Sequence, residues 1–253
     1  MQPQRRTDRA GRAPARGAVA SMLNVGGVTP FTSIDFPGNL AVVVFVQGCP
    51  WRCTYCHNPH LQPRHHGAAT APHEWPDVVD WLRSRRGLID AVVFSGGEPT
   101  IDRGLIAAIE DVRALDFSVG LHTAGIYPRR LREVLPLVDW VGFDVKAPLA
   151  CAALQEAIVG VRGTSAAVAD SLDLVIAAGV DFECRTTAAP AYLNDAALLQ
   201  LGRELAVRGV RNYAVQLARP VGPGGAPSAP GTYAAETIET LKRMFISFVL
   251  RAA

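Results

Sequence analysis

Residues 40–59 read LAVVVFVQGCPWRCTYCHNP, and this stretch decides how the rest of the chain is understood. Its first part, Leu40 to Gln47, is a run of β-branched and aromatic residues with no charge, the pattern of a strand buried on both faces. Three of the five cysteines follow at once, Cys49, Cys53 and Cys56, spaced C-x3-C-x2-C. The thiols therefore leave the end of a core strand on a loop. A structural zinc ion takes four protein ligands, so a zinc knuckle would have to recruit His57 or His60. A disulfide framework needs an even cysteine count and an oxidising compartment. Cysteines that merely pack in a core need no such spacing. Three thiolates without a fourth suit a 4Fe–4S cluster with one iron left open.

Outward from this loop, apolar strands alternate with helical patterns. Strands are expected at Leu40–Gln47, Ala91–Ser95, Phe117–Thr123, Trp140–Val145, Asp181–Thr187 and Asn212–Leu217. Helices are expected at Glu74–Ser84, Gly104–Ala114, Pro128–Leu135, Thr164–Ala178, Asp195–Arg208 and Ala234–Val249. Strict alternation implies parallel strands joined by right-handed crossovers. Eight such units close a barrel, and six predict an α/β fold of the open type, a partial (β/α)6 barrel. Val221–Gly231 is rich in Gly and Pro and reads as a surface loop.

In such folds chemistry gathers where strands end. Read in turn, those ends are the cysteine loop, Ser95-Gly96-Gly97-Glu98-Pro99, His122-Thr123-Ala124-Gly125, Asp144-Val145-Lys146, Arg185-Thr186-Thr187 and Gln216-Leu217. Two glycines at a strand end let a backbone approach a ligand closely. Asp144 and Lys146 flank Val145, so both would face the barrel interior while Val145 faces the helices; an ion pair between them is the plain alternative. Glu183 and Arg185 share a strand face, with Cys184 on the other, and Glu183 is a ready partner for a buried Arg185. Cys151 and Cys184 stand apart from the others and read as structural thiols.

The segment GGVTPFTSIDFPGNLAVVVFVQGCPWRCTYCHNP, with the later GGEP, resembles the radical S-adenosylmethionine superfamily. Within it the text is similar to the activating proteins of anaerobic ribonucleoside-triphosphate reductase, relatives of the pyruvate formate-lyase activating enzymes. The resemblance runs from about Val25 to about Pro220. It implies a 4Fe–4S cluster on Cys49, Cys53 and Cys56, with S-adenosyl-L-methionine chelated to the open iron. It implies cofactor contacts from Tyr55, Gly96, Gly97 and Glu98, the last as a charge complement to the methionyl ammonium. Thr123 and Gln216 would add hydrogen bonds to the cofactor, and His57 with Asn58 would stand behind the cluster. Asp144, Lys146 and Arg185 would serve the reacting end. The implied partners are an anaerobic ribonucleotide reductase, which receives a glycyl radical, and a low-potential electron donor such as flavodoxin or ferredoxin. Two other readings remain open at this stage: a radical enzyme on a small molecule, as in deazapurine synthesis, and an electron carrier or zinc module without catalysis. A cofactor cradle such as GGEP has no use in the last.

Composition bounds the setting. At 253 residues the chain can bury one sizeable core. Apolar residues make up 49% in short blocks, none as long as a membrane span. Residues 1–20 carry Arg5, Arg6, Arg9, Arg12 and Arg16 against Asp8, a charge of +4. They lack periodicity and an apolar signal region, so a disordered basic segment is expected ahead of one radical S-adenosylmethionine domain over 21–253. Subtracting +4 from the whole-chain +2 leaves −2 on that domain, which offers no general nucleic-acid surface. Clustered free thiols without a secretory signal predict a cytoplasmic protein.

Overall fold

The computed structural model describes residues 22–64, 73–218 and 232–251. The basic segment 1–20 and the loop Val221–Gly231 lie outside the described residues. One eight-stranded sheet carries the fold, in the order β1 to β8. β1 (Val25–Thr32) is antiparallel to β2 (Ala41–Val46). β2, β3 (Ala91–Gly96), β4 (Ser118–Thr123), β5 (Trp140–Asp144), β6 (Asp181–Ala188), β7 (Asn212–Leu217) and β8 (Ser247–Arg251) then run parallel. β1 and β8 are not paired with each other, so the barrel stays open.

Helices α1 (Trp75–Arg83), α2 (Leu105–Arg113), α3 (Pro128–Val134), α4 (Ala152–Val159), α5 (Ser165–Ala178), α6 (Asp195–Val207) and α7 (Ala235–Met244) fill the crossovers. Six strand–helix units run from β2 to α7, as expected of a partial (β/α)6 barrel. Local chemistry sets several ends. Asn194 caps α6 by accepting from the Ala197 amide, and Gly179 stops α5 in the left-handed conformation. Among the described residues, no helix is long and apolar enough to cross a membrane.

Three elements differ from the sequence expectation. β1 contains two glycines and Pro30, poor strand formers, and holds as an edge strand, where proline is tolerated. α4 is a short, largely apolar helix without a side-chain cap at its start. The last helix does not reach Val249: the chain turns extended at Phe245 and pairs residues 247–251 with β7. No Gly or Pro marks that turn, and a short apolar run fits helix or strand equally.

Strand alternation sorts the core into two parts. Val42, Val44 and Val46 of β2 face the helices in the main cluster. Ala41 and Val43 face inward with Ala91, Val93, Phe36 and Trp140. The Phe36 and Trp140 rings stack with centroids 5.3 Å apart. The inward strand residues sit toward the amino ends of their strands and, with Phe36 from the turn between β1 and β2, fill that half of the barrel. The carboxyl half is left for a cavity.

Candidate active site

The cysteine loop is fixed through its backbone. Gly48 and Cys49 donate to the carbonyls of Leu61 and Gln62 at 2.8 and 3.0 Å, and Arg52 and Thr54 donate to Val159 and Ile158 at 2.8 and 3.1 Å. Buried Gln47 closes the loop by donating from Nε2 to the carbonyls of His60 and Pro63. The unexpected helix α4 thus holds the middle of the loop with its last carbonyls, groups a helix end leaves free.

Cys49, Cys53 and Cys56 line one cavity of about 350 Å3. Burial pushes the Cys49 thiol up to about 12 and raises Cys53 as well. Forming thiolates here therefore calls for a compensating cation. Among the described residues no three His, Cys, Asp or Glu side chains close on a single metal ion. Three thiols on this cavity and no fourth cysteine beside them suit a 4Fe–4S cluster better than a zinc site of four protein ligands. His57 and Asn58 line the same cavity, whereas His60 is exposed. Cys184 is buried on the helix side of β6, and Cys151 precedes α4, both apart from this cavity.

The other strand ends converge on it. Tyr55, Gly96, Gly97, Thr123, Asp144, Lys146, Arg185 and Gln216 all contribute to its wall. Tyr55 is buried and packs on Tyr192 at a centroid distance of 6.1 Å. The GGEP segment has a reason for its glycines that the sequence did not reveal. A Cβ on Gly97 would fall 2.2 Å from the Gly48 carbonyl oxygen, and one on Gly96 would fall 2.4 Å from the Val46 backbone. The segment also donates from Gly97 to Val46 and from Glu98 to Gly48. It is laced to the cysteine loop, backbone on backbone.

Glu98 is 1% exposed and absent from the cavity wall. Its Oε1 accepts from the Thr100 hydroxyl (2.6 Å) and amide (3.2 Å) and the Thr123 hydroxyl (2.7 Å), and its Oε2 from the Ala124 amide (2.9 Å). Burial raises its pKa while these bonds pull it down. A carboxylate so engaged is a strut between the ends of β3 and β4. Thr123 is committed likewise, donating to Glu98 and accepting from Gly125 at 3.0 Å. Glu98→Gln turns an NH2 toward a donor, most simply Ala124 N–H. A loss of about 1–3 kcal/mol is expected, read as a lower Tm with iron content unchanged. An unshifted Tm would count against the strut.

On the facing wall Lys146 donates to Asp144 at 2.6 Å, and Val145 is buried toward the helices. Desolvation is the largest influence and disfavours the Lys146 ammonium, but Asp144, Cys53 and Tyr55 together more than offset it and its pKa is raised. The guanidinium of Arg185 is engaged at several points. Nε donates to Glu183 at 3.0 Å, Nη2 reaches the Asp35 carbonyl at 3.4 Å, and the group lies 4.9 Å over Trp140. Glu183 also accepts from Arg251 at 2.9 and 3.2 Å. Arg185 therefore braces the wall, with Glu183 as its carboxylate partner. His122 joins this network. Its Nε2 lies 2.8 Å from the Asp35 carbonyl and 2.9 Å from Arg185 Nη1, and its Nδ1 lies 3.2 Å from the Ser95 hydroxyl. Burial, then Arg185, lowers the His122 pKa well below its ordinary value and keeps it neutral.

Sequence reasoning missed Asp35, Ser95 and Arg251 as wall residues. Ser95 lay in the quoted SGGEP, one residue before the glycines. Asp35 sits in the turn after a strand that went unrecognised, and Arg251 follows a stretch that read as helix.

Comparison with known proteins gives concordant results. The family model for the radical SAM superfamily matches residues 43–197. A Methanocaldococcus jannaschii protein named as a glycyl-radical enzyme activating enzyme is 28% identical over 203 residues, 78% of this chain and 80% of that one. A pyruvate formate-lyase-activating enzyme of Streptococcus mutans is 34% identical over 132 residues, which are 48% of this chain and 50% of that protein. The crystal structure of a radical SAM methyltransferase from Sphaerobacter thermophilus superposes with a TM-score of 0.63 at 18% identity, covering 86% of this chain and 67% of that one. At that identity the likeness speaks for the fold alone.

Proposed function

The chain belongs to the radical SAM superfamily, and on that premise we propose that it is a glycyl-radical activating enzyme whose protein substrate is an anaerobic ribonucleoside-triphosphate reductase. The observation that carries the reading is the cavity itself, where three half-buried thiols share a wall with Gly96, Gly97, Asp144 and Lys146. Relatives named as activating enzymes support the class, and the sequence around the cysteines supports the reductase as target.

Cys49, Cys53 and Cys56 hold the 4Fe–4S cluster, and the remaining cavity takes S-adenosyl-L-methionine. When bound, these groups supply one electron that splits the cofactor into methionine and a 5′-deoxyadenosyl radical, a hydrogen-abstracting species. The chain's own part is positional. Glu98 and Gln47 fix the GGEP and cysteine loops that would line the cofactor's place, and the Lys146–Asp144 pair would face its polar end. The buried walls keep water from the reacting carbon. The open edge between β1 and β8 leaves room for a glycine-bearing segment to enter.

The test is electron paramagnetic resonance on the anaerobic mixture of this protein, S-adenosylmethionine, a reductant and the reductase. The expected result is a glycyl doublet that loses its splitting when the partner's glycine is α-deuterated, with deuterium recovered in 5′-deoxyadenosine. Robust cofactor cleavage with no radical on any cognate reductase would transfer the enzyme to a small-molecule substrate.

A further inference from the structure

Arg52, Arg64, Arg103 and Arg129 are exposed, and none has an ion-pair partner among the described residues. All four stand on the connections that follow β2, β3 and β4. Contacts join three of these connections at one place. Asn24 donates from its side chain to the Arg64 carbonyl and from its amide to Asp102, and Arg130, beside Arg129, donates to the Asp102 carbonyl. Asp102 accepts from the amides of Asn24 and Gly104 and forms no ion pair among the described residues, and Glu133 pairs with Arg130, so the four unpaired arginines outnumber the one unpaired carboxylate at these contacts. Residues 21–253 as a whole carry −2. The positive field is therefore local, on a slightly acidic body.

Its location is what assigns the partner. Arg52 donates from Nη1 to the Cys49 carbonyl at 2.7 Å. Cys49 in turn donates to Gln62, two residues before Arg64, and the Arg64 side chain borders Gly48. Exposed cationic residues thus stand a few bonds from a cluster ligand. A substrate has to enter the cavity, but an electron only has to cross a short stretch of bonded protein, and this surface offers that.

We propose that the Arg64–Arg103–Arg129 face is the docking surface for an acidic protein that carries a one-electron donor, and that Arg52 lies on the transfer route. The inference rests on the radical-enzyme reading of the cavity. In the step itself one electron leaves the donor, an anionic flavin hydroquinone becoming the neutral semiquinone, and the cluster goes from its 2+ to its 1+ state. No proton or bond changes hands. Local positive charge raises the encounter rate with an anionic partner and makes it fall with salt.

The experiment follows cluster bleaching in stopped flow, with no reductase present, using an acidic flavodoxin in its hydroquinone state. The triple variant Arg64→Glu/Arg103→Glu/Arg129→Glu is compared with Arg203→Glu/Arg211→Glu/Arg243→Glu, an equal charge change away from these connections. Both should keep the parent's iron content and the same bleaching rate with photoreduced deazaflavin, a small neutral reductant. The first variant should be reduced by flavodoxin about tenfold or more slowly and lose its salt dependence; the second should stay within about twofold. Equal slowing in both variants, or unchanged reduction in the first, overturns the proposal. Unchanged flavodoxin reduction together with lost radical transfer, in a separate assay with the reductase, also overturns it and assigns the face to the substrate. Because bleaching is read without substrate, a wrong reductase assignment leaves this result intact.

Discussion

Single replacement of Cys49, Cys53 or Cys56 by Ala is expected to leave anaerobically reconstituted protein without its brown chromophore. The parent, by contrast, should hold about four irons and four sulfides per chain. Each thiol supplies one of three anchors, and no other cysteine lines the cavity to replace it. Burial holds the Cys49 and Cys53 thiols protonated on their own. Their deprotonation is thus linked to iron uptake, and losing one anchor removes part of what stabilises the rest. Cys151→Ala and Cys184→Ala should keep the chromophore. Cys184→Ala removes a fully buried sulfur from the helix-side core and should lower the Tm instead. Iron and sulfide assays with the visible spectrum decide the matter. Stoichiometric zinc in place of iron after reconstitution would sink the cluster assignment.

Gly97→Ala should fail in a different way, losing iron and stability together. The sequence by itself points to a ligand approaching these glycines, and on that view a larger residue would weaken cofactor affinity and spare the cluster. The geometry adds a larger structural cost. The new Cβ would meet the Gly48 carbonyl at 2.2 Å and the Leu61 carbonyl at 3.0 Å, both backbone atoms that no rotamer change can move. Relief requires separating the GGEP segment from the cysteine loop, which breaks the Gly97–Val46 and Glu98–Gly48 hydrogen bonds. Overpacking of this kind costs about 1–3 kcal/mol, and two lost backbone bonds add about 1 kcal/mol each. A thermal melt beside an iron assay reads both effects. If the Ala variant keeps full iron and parent stability while S-adenosylmethionine affinity alone falls, the glycines serve the cofactor and the lacing is incidental.

These two outcomes show which parts of the site could be read along the chain. The cysteines could, because ligand chemistry fixes residue type and leaves a spacing. The glycines could be found but not explained: their obstacles, Val46 for Gly96 and Gly48 for Gly97, lie far back in the sequence and enter only when β2 and β3 lie side by side. Glu98 was recognised as part of a motif, but its tie to Thr123 and Ala124 could not be read, because those donors belong to the next strand end.

The same division holds for the fold. Alternating apolar strands and helical periods in the sequence determined the parallel open barrel, its six repeated units and the side on which chemistry gathers. Period and polarity are local properties, and they survive in one dimension. Only the tertiary structure decided the edges and the plug. β1, with its glycines and proline, and β8, without a breaker before it, become strands by pairing with β2 and β7. Phe36 fills the amino half of the barrel by stacking on Trp140, a residue more than a hundred positions later. Hydrogen bonds to a neighbouring strand and a ring's fit in a cavity depend on what the rest of the chain brings alongside, and no stretch of sequence states that alone.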